Sequence, residues 1–536
     1  MASRAVRRRV GRLLGSLPLI ADYARRLQVE RIINQQCPSR GNAHLTHGQV
    51  ALTIIANRLT QPRAMYQLIH WARVWAVREV FGVEAAQLND DRLGRALDAL
   101  APCIDLVQGA VAATAVAEFG LDLSQLHWDL TSVVLQGEYP PGEQDPDYAR
   151  PAYGFGGEQN CKQLRVGELV TADGGVPVWH RNYDGGQADV GTVVETMEAL
   201  RKQVQLPECL VIGDSKLLCR EVIARLQSQG LHFLAPLPRS AELDEQFLTL
   251  DPAGWERLDY LPQRQERLAP EEQTQYLGQE AAWEWSHPKT GDVEVFRRLF
   301  VISSEERATC RKVRTQQMAR AEAELAKVAA GLGKRQLKTE EKARLRVEQF
   351  LKKRRVSSLY RVQLTTEASA LVLRWEVDEA ALARAEALDG YYVLLCSWPK
   401  EKADASTLLR RWKGEWQIER RFGDWKGPLK VRPVFLTSNA RMAALLLLLH
   451  LALMIYSLLE REARRRLTER GEREVGRLLA GHVDAIPTGA NILVAFENLL
   501  LLVEETENGR LCEIGELWPE QQILWRLLGT QAPVWR

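Results

Sequence analysis

The chain contains 536 residues, of which 46% are hydrophobic and 26% are charged, a balance that is ordinary for globular proteins and excludes bulk disorder and collagen-like repeats. At about 100–200 residues per domain, this length predicts roughly three or four folded units. Lys and Arg number 71 against 69 Asp and Glu, so the net charge of +2 excludes a protein that is basic all over.

Residues 1–120 predict a helical N-terminal domain. Apolar residues recur there at helical spacing, and Asn89 followed by two aspartates is typical of a helix start. Before them, the basic arm at residues 4–12 is expected to lead into a helix rather than to act as an export signal. The eight cysteines lack zinc-ligand spacing, which favours free thiols in a reducing, cytoplasmic compartment.

The pattern changes near residue 121, and residues 121–238 predict a mixed α/β layer. Strand-like runs, helical periods and a hairpin turn at Asp173-Gly174-Gly175 follow one another without simple alternation. The predicted strands cover residues 126–134, 163–171, 176–182, 209–214 and 232–236, and the predicted helices cover residues 189–205 and 217–229.

Residues 239–404 predict an insertion domain of mixed α+β structure. Short strand candidates surround a charged helical run at residues 305–355, where no sustained 3.5-residue apolar repeat indicates a coiled coil. A solvated helical hairpin is expected there, with Gly331 and Gly333 at its turn.

The sequence predicts that the chain is helical again over residues 405–465, beginning with one helix over residues 406–426. It predicts a helical C-terminal region over residues 466–536. The apolar run at residues 443–459 is close to the minimum length of a membrane span, but His450 lies inside it. We expect a buried core helix there and no membrane association.

Three carboxylates occupy positions typical of an active site in a mixed sheet. Asp129 lies in the middle of the first strand, Asp214 ends the fourth, and Glu419 lies on the helix after the insertion. A carboxylate in an apolar strand costs free energy of desolvation unless it is paired or bound to a metal. Converging carboxylates are what hard divalent cations require, and such ions support phosphodiester chemistry. The alternative for an Asp at a strand end is a turn or cap residue.

The helix that carries Glu419 combines acidic, basic and aromatic side chains. Glu419 and Lys426 are two turns apart and share one face. Basic side chains interleaved with tryptophans suit contact with DNA phosphates and stacking on unpaired bases. The surrounding residues of this kind are Arg410, Arg411, Trp412, Trp416, Arg420, Arg421 and Trp425. The alternative is an amphipathic helix with one or two of the tryptophans in the core.

The segment WKGEWQIERRFGDWK, from Trp412 to Lys426, resembles the Y-R-E-K signature of bacterial insertion-sequence DDE transposases of the IS-four group and its large-insertion relatives. The Glu and Lys of the signature correspond to Glu419 and Lys426, whereas its Tyr and Arg correspond to Trp412 and Glu415. Further segments that are similar to that family are Asp129-Leu130-Thr131, Ile212-Gly213-Asp214-Ser215, Arg432-Pro433-Val434-Phe435, Leu45-Thr46-His47-Gly48 and Asn89-Asp90-Asp91-Arg92-Leu93-Gly94-Arg95.

This resemblance implies an RNase H-like catalytic core, interrupted by the insertion and preceded by a helical DNA-binding domain. It implies a transposase that binds the terminal inverted repeats of a mobile element, cleaves DNA at the ends and joins the 3′-hydroxyls to target DNA. Asp129, Asp214 and Glu419 would hold two Mg²⁺ (or Mn²⁺) ions. The implied partner is double-stranded DNA, bound by a homodimer in the synaptic complex at the bacterial nucleoid. The implied DNA-contact residues are Lys426, Trp412, Arg411, Arg420, Arg421, Arg432 and Trp398.

Two alternatives stay open. The reversed charge at Glu415 and the lost hydroxyl at Trp412 favour a catalytically inactive, transposase-derived DNA-binding protein, whereas the three intact carboxylates favour an active enzyme. An RNase H-like nuclease without strand transfer would use the same metal site.

The near-neutral net charge is a cancellation between segments. Residues 1–31 hold eight basic and two acidic residues, residues 305–355 hold sixteen and seven, and residues 410–432 hold eight and three. Positive charge is therefore concentrated in the arm, the insertion and the Glu419 helix, where a transposase would meet DNA phosphates.

Overall fold

The computed structural model describes residues 6–140, 145–154, 161–187, 191–334, 337–367, 370–431, 434, 436–476, 486–506 and 509–531. The chain folds into two compact units. The first unit comprises Met1–His232 and Lys413–Arg536, and the second unit comprises Phe233–Trp412.

The first unit begins with a strand, β1 (Val6–Leu13), which the sequence analysis did not predict, and continues with helices. The helices are α1 (Leu17–Arg26), α2 (Val29–Gln36), α3 (His47–Thr60), α4 (Leu68–Val74), α5 (Val77–Phe81), α6 (Asp90–Leu100) and α7 (Ile104–Phe119). The predicted helix start is confirmed, since the Asn89 side chain caps α6 by accepting the N–H of Arg92 at 2.9 Å. The start of α3 is stabilised by a capping box, in which Thr46 and Gln49 each accept the backbone N–H of the other.

A mixed α/β layer follows, as predicted. Its elements are β2 (Gln125–Val134), β3 (Ala152–Tyr153), β4 (Lys162–Thr171), β5 (Pro177–Tyr183), α8 (Thr192–Gln203), β6 (Leu210–Ile212) and α9 (Arg220–Ser228). β4 pairs antiparallel with β2 on one side and with β5 and the short β3 on the other. β6 pairs parallel with β2, so the strand order β5–β4–β2–β6 makes the sheet mixed.

The second unit contains an antiparallel sheet and a helical hairpin. Its elements are β7 (His232–Leu237), α10 (Ala241–Thr249), β8 (Glu256–Leu258), β9 (Tyr276–Ser286), β10 (Val293–Ser303), α11 (Ser304–Gly331), α12 (Glu340–Arg354), β11 (Tyr360–Glu367), β12 (Ala370–Val377), α13 (Glu379–Ala387), β13 (Tyr391–Cys396) and α14 (Ala405–Lys413). The sheet has the order β7–β13–β10–β9–β8, and every pairing in it is antiparallel.

The helical hairpin of α11 and α12 packs on β11 and β12 around a core of its own. Leu325 of α11, Val347 and Phe350 of α12, and Leu373 of β12 belong to that core. The connection between the helices passes through Gly333 at a φ of +78°, a left-handed conformation that favours glycine. Most charged side chains of both helices are exposed, which confirms the predicted solvated hairpin.

The chain then returns to the first unit. The remaining elements are α15 (Trp416–Lys426), α16 (Asn439–Glu469), α17 (Gly489–Ala495), β14 (Leu500–Thr506), β15 (Gly509–Ile514) and α18 (Pro519–Leu528). The single helix predicted over residues 406–426 is wrong, because the helical hydrogen bonding stops after Lys413 and restarts at Trp416. Gly414 lies at this break, and glycine carries the largest entropic cost of any non-proline residue in a helix.

The C-terminal region is not wholly helical, contrary to the prediction. β14 lies between β1 and β15, antiparallel to both, in a three-stranded sheet. The physical reason is a period of two along β14, where Leu501 and Val503 are buried while Leu500 and Leu502 are 46% and 40% exposed. The sheet thus joins the two ends of the described chain.

The apolar helix α16 is buried along most of its length. By length and composition alone, α16 and the helical segment Asp90–Phe119 could each cross a membrane. The most apolar stretch of α16 is entirely buried inside the protein, and His450 within it is fully enclosed. The predicted core helix is therefore confirmed.

Candidate active site

Asp129 and Asp214 are brought together by two adjacent parallel strands. β2 and β6 pair in a register that ends with His127 opposite Ile212. The same register, continued by two residues, sets Asp214 level with Asp129. Both aspartates line one narrow cleft of the first unit.

Asp214 combines a local structural contact with a place in this cleft. Its Oδ1 accepts the backbone N–H of Lys216 at 3.0 Å and so caps the 3-10 turn Ser215–Leu218. Its Oδ2 lies 3.6 Å from the ammonium of Lys216. Burial raises the pKa of Asp214, whereas the Lys216 N–H and the charge of Arg165 lower it. Asp214 is thus a cap residue, as the alternative interpretation held, and a lining residue of the cleft as well.

The cleft disfavours the anionic form of Asp129. Burial, with smaller contributions from the carboxylates of Asp214 and Glu419, raises the pKa of Asp129 to about 6. The N–H of Leu130, which donates to Asp129 Oδ1 at 2.7 Å, and the charge of Lys216 act in the opposite direction. Helix α15 packs against β2 and β4, which places it beside the cleft.

The three carboxylates fit a divalent cation in donor chemistry and in charge. Mg²⁺ prefers oxygen ligands, and a cation would offset the burial, and the smaller repulsion from the other carboxylates, that raise the pKa of Asp129. Asp129 and Asp214 would hold such an ion, and Glu419, which is exposed on α15, would complete the donor set. Across the described ranges, no three or more His, Cys, Asp or Glu side chains lie close enough together to hold a metal ion, so the carboxylates fit the ion in chemistry and not yet in spacing.

Lys426 connects the end of α15 to strand β2. Its ammonium donates a hydrogen bond to the hydroxyl of Thr131. Thr131 lies two residues after Asp129 and therefore faces the same side of the sheet. Since Glu419 and Lys426 also share one helix face, α15 lies along β2 with Glu419 towards Asp129 and Lys426 towards Thr131.

Arg421 and Arg420 are held by a glutamate of α16. The Nη1 of Arg421 donates to Glu460 at 3.1 Å, and its other nitrogens donate to the carbonyl oxygens of Gly174 and Gly175 at 2.6 and 2.9 Å. Arg420 donates to the same carboxylate at 2.7 Å. The Arg421 side chain is only 2% exposed, so the predicted DNA contact at Arg421 is replaced by a structural role that fixes α15 on the β4–β5 turn.

The predicted aromatic contacts in the second unit are packed within it. The ring of Trp412 lies 4.9 Å from the ring of Tyr392. The guanidinium of Arg411 covers the ring of Trp398 at 4.7 Å from its centroid, and Trp398 is 7% exposed. Because a cation–π contact already occupies that ring, the structure favours a packing role for Trp398. The predicted contact at Arg432 lies outside the described residues.

The tryptophans of α15 differ from each other in accessibility. Trp425 is fully buried, as the alternative of an amphipathic helix predicted. Trp416 is 46% exposed, and the guanidinium of Arg420 lies 5.9 Å from its ring centroid. Trp416 is therefore the aromatic side chain of this helix that a nucleic acid can reach.

A buried polar row that the sequence analysis missed begins beside Asp129. Glu168 of β4 pairs in register with Asp129 of β2 and with His180 of β5. Its Oε2 lies 2.8 Å from Nδ1 of His450, whose ring stacks on that of His180 at 4.8 Å. Burial raises the pKa of Glu168 and lowers that of His450 to about 3, so burial favours the uncharged form of both groups. The available signal was one glutamate inside the apolar half of β4.

Comparison with known protein families found two matches. A family model described as a transposase DDE domain matches residues 129–455. A second, described as a domain of unknown function (DUF4277), matches residues 10–103. No curated protein was found to match the sequence.

Comparison with solved structures found transposases in complex with DNA. The synaptic complex of piggyBac transposase with hairpin DNA is 8% identical, with a TM-score of 0.36 over 90% of this chain and 78% of that one. The Mos1 transposase paired-end complex is 10% identical, with a TM-score of 0.16 over 39% of this chain and 63% of that one.

Proposed function

Because this chain belongs to the family of DDE-domain transposases, we propose that it moves a DNA element by a cleavage and joining reaction. It binds the terminal inverted repeats, hydrolyses a strand at each end and joins the freed 3′-hydroxyls to target DNA. The observation that carries the proposal is that Asp129 and Asp214 line one cleft and that α15, the helix of Glu419, packs against the strand of Asp129.

The strand order of the first unit supports an RNase H-like core. Three long strands, β2, β4 and β5, pair antiparallel in chain order, and β6 then joins the free side of β2 in parallel. The signature-like segment from Trp412 to Lys426 supports a place among the bacterial insertion-sequence relatives with a large insertion.

The carboxylates and Lys426 have different roles in the reaction: the carboxylates hold the metal ions, and Lys426 orients the DNA. When bound, a pair of divalent ions would lower the pKa of the attacking water or hydroxyl and stabilise the leaving oxygen. Asp129 and Asp214 provide oxygen donors that line the cleft, and Glu419 provides an exposed donor from the helix. Lys426, at the far end of the same helix face, orients the DNA phosphate beside the cleft. Two copies of the chain hold the two ends together.

A cleavage assay tests this function. The substrate is a plasmid carrying the DNA that flanks the gene, incubated with the full chain and Mg²⁺. Asp129→Ala, Asp214→Ala and Glu419→Gln are expected to lose cleavage while retaining end binding. Glu195→Gln, which removes an exposed carboxylate from α8, is the matched control and should cleave normally. Undiminished cleavage by Asp129→Ala would overturn the assignment.

A second substrate separates a transposase from a nuclease. Pre-cut ends are mixed with a target plasmid, and covalent joining of the 3′-hydroxyls is scored. Joining that depends on Asp129 supports transposition. Cleavage of end DNA without any joining would instead identify an RNase H-like nuclease.

A further inference from the structure

Two N-terminal segments that the active site does not use meet each other in the first unit. They are residues 45–48, at the start of α3, and residues 89–95, at the start of α6. The Nη2 of Arg92 donates to the carbonyl oxygen of Leu45 at 2.8 Å, and its Nη1 lies 3.3 Å from Nδ1 of His47. The fold therefore brings these two separate sequence motifs into contact.

A basic cavity of about 810 Å³ opens where these segments meet. This volume falls within the range of about 300–1,000 Å³ that is typical of ligand sites. The basic residues that line the cavity are Arg40, His44, His47, Arg92 and Arg95. The one carboxylate in the lining, Asp98, is already neutralised by Arg441, which donates to both of its oxygens at 2.7 and 2.8 Å.

The positive charge of the cavity is not balanced from within. Arg40 and Arg95 are exposed and form no ion pair with any described residue. The Nε of Arg92 is buried and has no hydrogen-bond partner in the described part of the chain. Burial and the charge of Arg95 lower the pKa of Arg92, and burial and Arg92 in turn lower the pKa of His47. Because these cations destabilise one another, an anion bound in the cavity would lower the free energy of the folded protein.

We propose that this cavity binds a backbone phosphate of duplex DNA and gives the N-terminal domain a direct DNA contact. The inference rests on the proposed function, in which the chain handles DNA ends. Arg40, Arg95 and His44 lie exposed at the opening, where an extended polyanion can reach them. Asn42, Gln87 and Asn89 also line the cavity and can hydrogen-bond the adjoining phosphodiester and sugar oxygens.

The test removes the two exposed arginines together. Arg40→Gln/Arg95→Gln is compared with Arg63→Gln/Arg73→Gln, which removes two exposed arginines of the same domain that do not line the cavity. Binding of the full chain to a random-sequence duplex is measured between about 50 and 200 mM salt, because each phosphate contact contributes about 0.9 to the slope of log affinity against log salt. Because one phosphate is placed in the cavity, the cavity variant is expected to lose about 0.9 from this slope, whereas the control keeps the wild-type value.

Inorganic phosphate, titrated at constant ionic strength, separates DNA from a free anion. If the cavity variant loses phosphate binding but keeps the wild-type DNA slope, the cavity serves a free anion and the inference fails. An equal loss of slope in the control would also overturn it, since the effect would then be one of net charge. Equal thermal unfolding midpoints of the two variants establish that both are folded. A wild-type chain that binds no DNA would overturn the proposed function together with this inference.

Discussion

The ammonium of Lys426 donates a hydrogen bond to the hydroxyl of Thr131, two residues beyond Asp129 on β2. This contact connects the helix that carries Glu419 to the strand that carries Asp129. The geometry of the cleft therefore depends on the helix lying along the strand, and substitutions at either end of the contact test that dependence.

Lys426→Met is expected to lower the rate of end cleavage more than Thr131→Val does. The methionine removes both the helix contact and the charge directed at DNA, whereas the valine removes only the contact and costs about 1 kcal/mol of stability. Cleavage rates and thermal midpoints are measured side by side, with Lys202→Met as a control for an exposed lysine on α8. Equal cleavage by Lys426→Met and wild type would remove Lys426 from the proposed site.

Asp129→Asn is expected to stabilise the metal-free protein at neutral pH. The pKa of Asp129 is raised to about 6 in the fold, above its ordinary value of 3.8, so its contribution to stability is present below pH 3.8 and is lost as the pH rises through 6. At pH 7 the variant should exceed wild type by up to about 3 kcal/mol, and this difference should shrink towards zero near pH 4. Chemical denaturation in the presence of a chelator at both pH values checks this, and a difference that grows on acidification would contradict it.

Mg²⁺ or Mn²⁺ is expected to raise the thermal midpoint of wild type and not that of Asp129→Asn. A cation that binds only the folded state stabilises it in proportion to the logarithm of its concentration over the dissociation constant. Thermal unfolding over a series of Mg²⁺ concentrations measures the effect without any DNA present. The same increase in both proteins would mean that the ion binds elsewhere.

Glu168→Gln should be nearly neutral, whereas Glu168→Leu should destabilise the fold by about 1–3 kcal/mol. The glutamine keeps an uncharged hydrogen-bonding group against Nδ1 of His450, but the leucine leaves that buried nitrogen without a partner. Denaturant titration of both variants gives the free energies of unfolding. A large loss in the glutamine variant would show that the pair is ionic rather than neutral.

Arg421→Met is expected to destabilise the first unit by about 3–5 kcal/mol, because Glu460 would lose a partner while both carbonyls of the β4–β5 turn lose their donor. Arg420→Met, on the more exposed neighbour, should cost less. Unfolding free energies of the two variants are compared. If Arg421→Met weakened DNA binding without loss of stability, the structural role assigned to Arg421 would be wrong.

Several features of the site followed from local pattern alone. The strand around Asp129, the strand before Asp214 and the helix around Glu419 each have a hydrophobic period that identifies them. The role of Glu168 was not predicted, because a single glutamate in a strand has no local signature. Its partner His450 lies far along the chain, and only folding brings the two together.

Periodicity and motif spacing predicted the mixed α/β layer, the solvated hairpin and the three candidate carboxylates, because both are properties of neighbouring residues. The folded chain was needed to show that β1 and the C-terminal strands share a sheet, that the helix breaks near Gly414, and that Arg421 is buried. Strand pairing and side-chain burial depend on contacts between distant parts of the chain, and a local pattern does not contain them. A basic residue in a motif can therefore either bind DNA or hold the fold together. For Arg421, the contact with Glu460 indicates the second role.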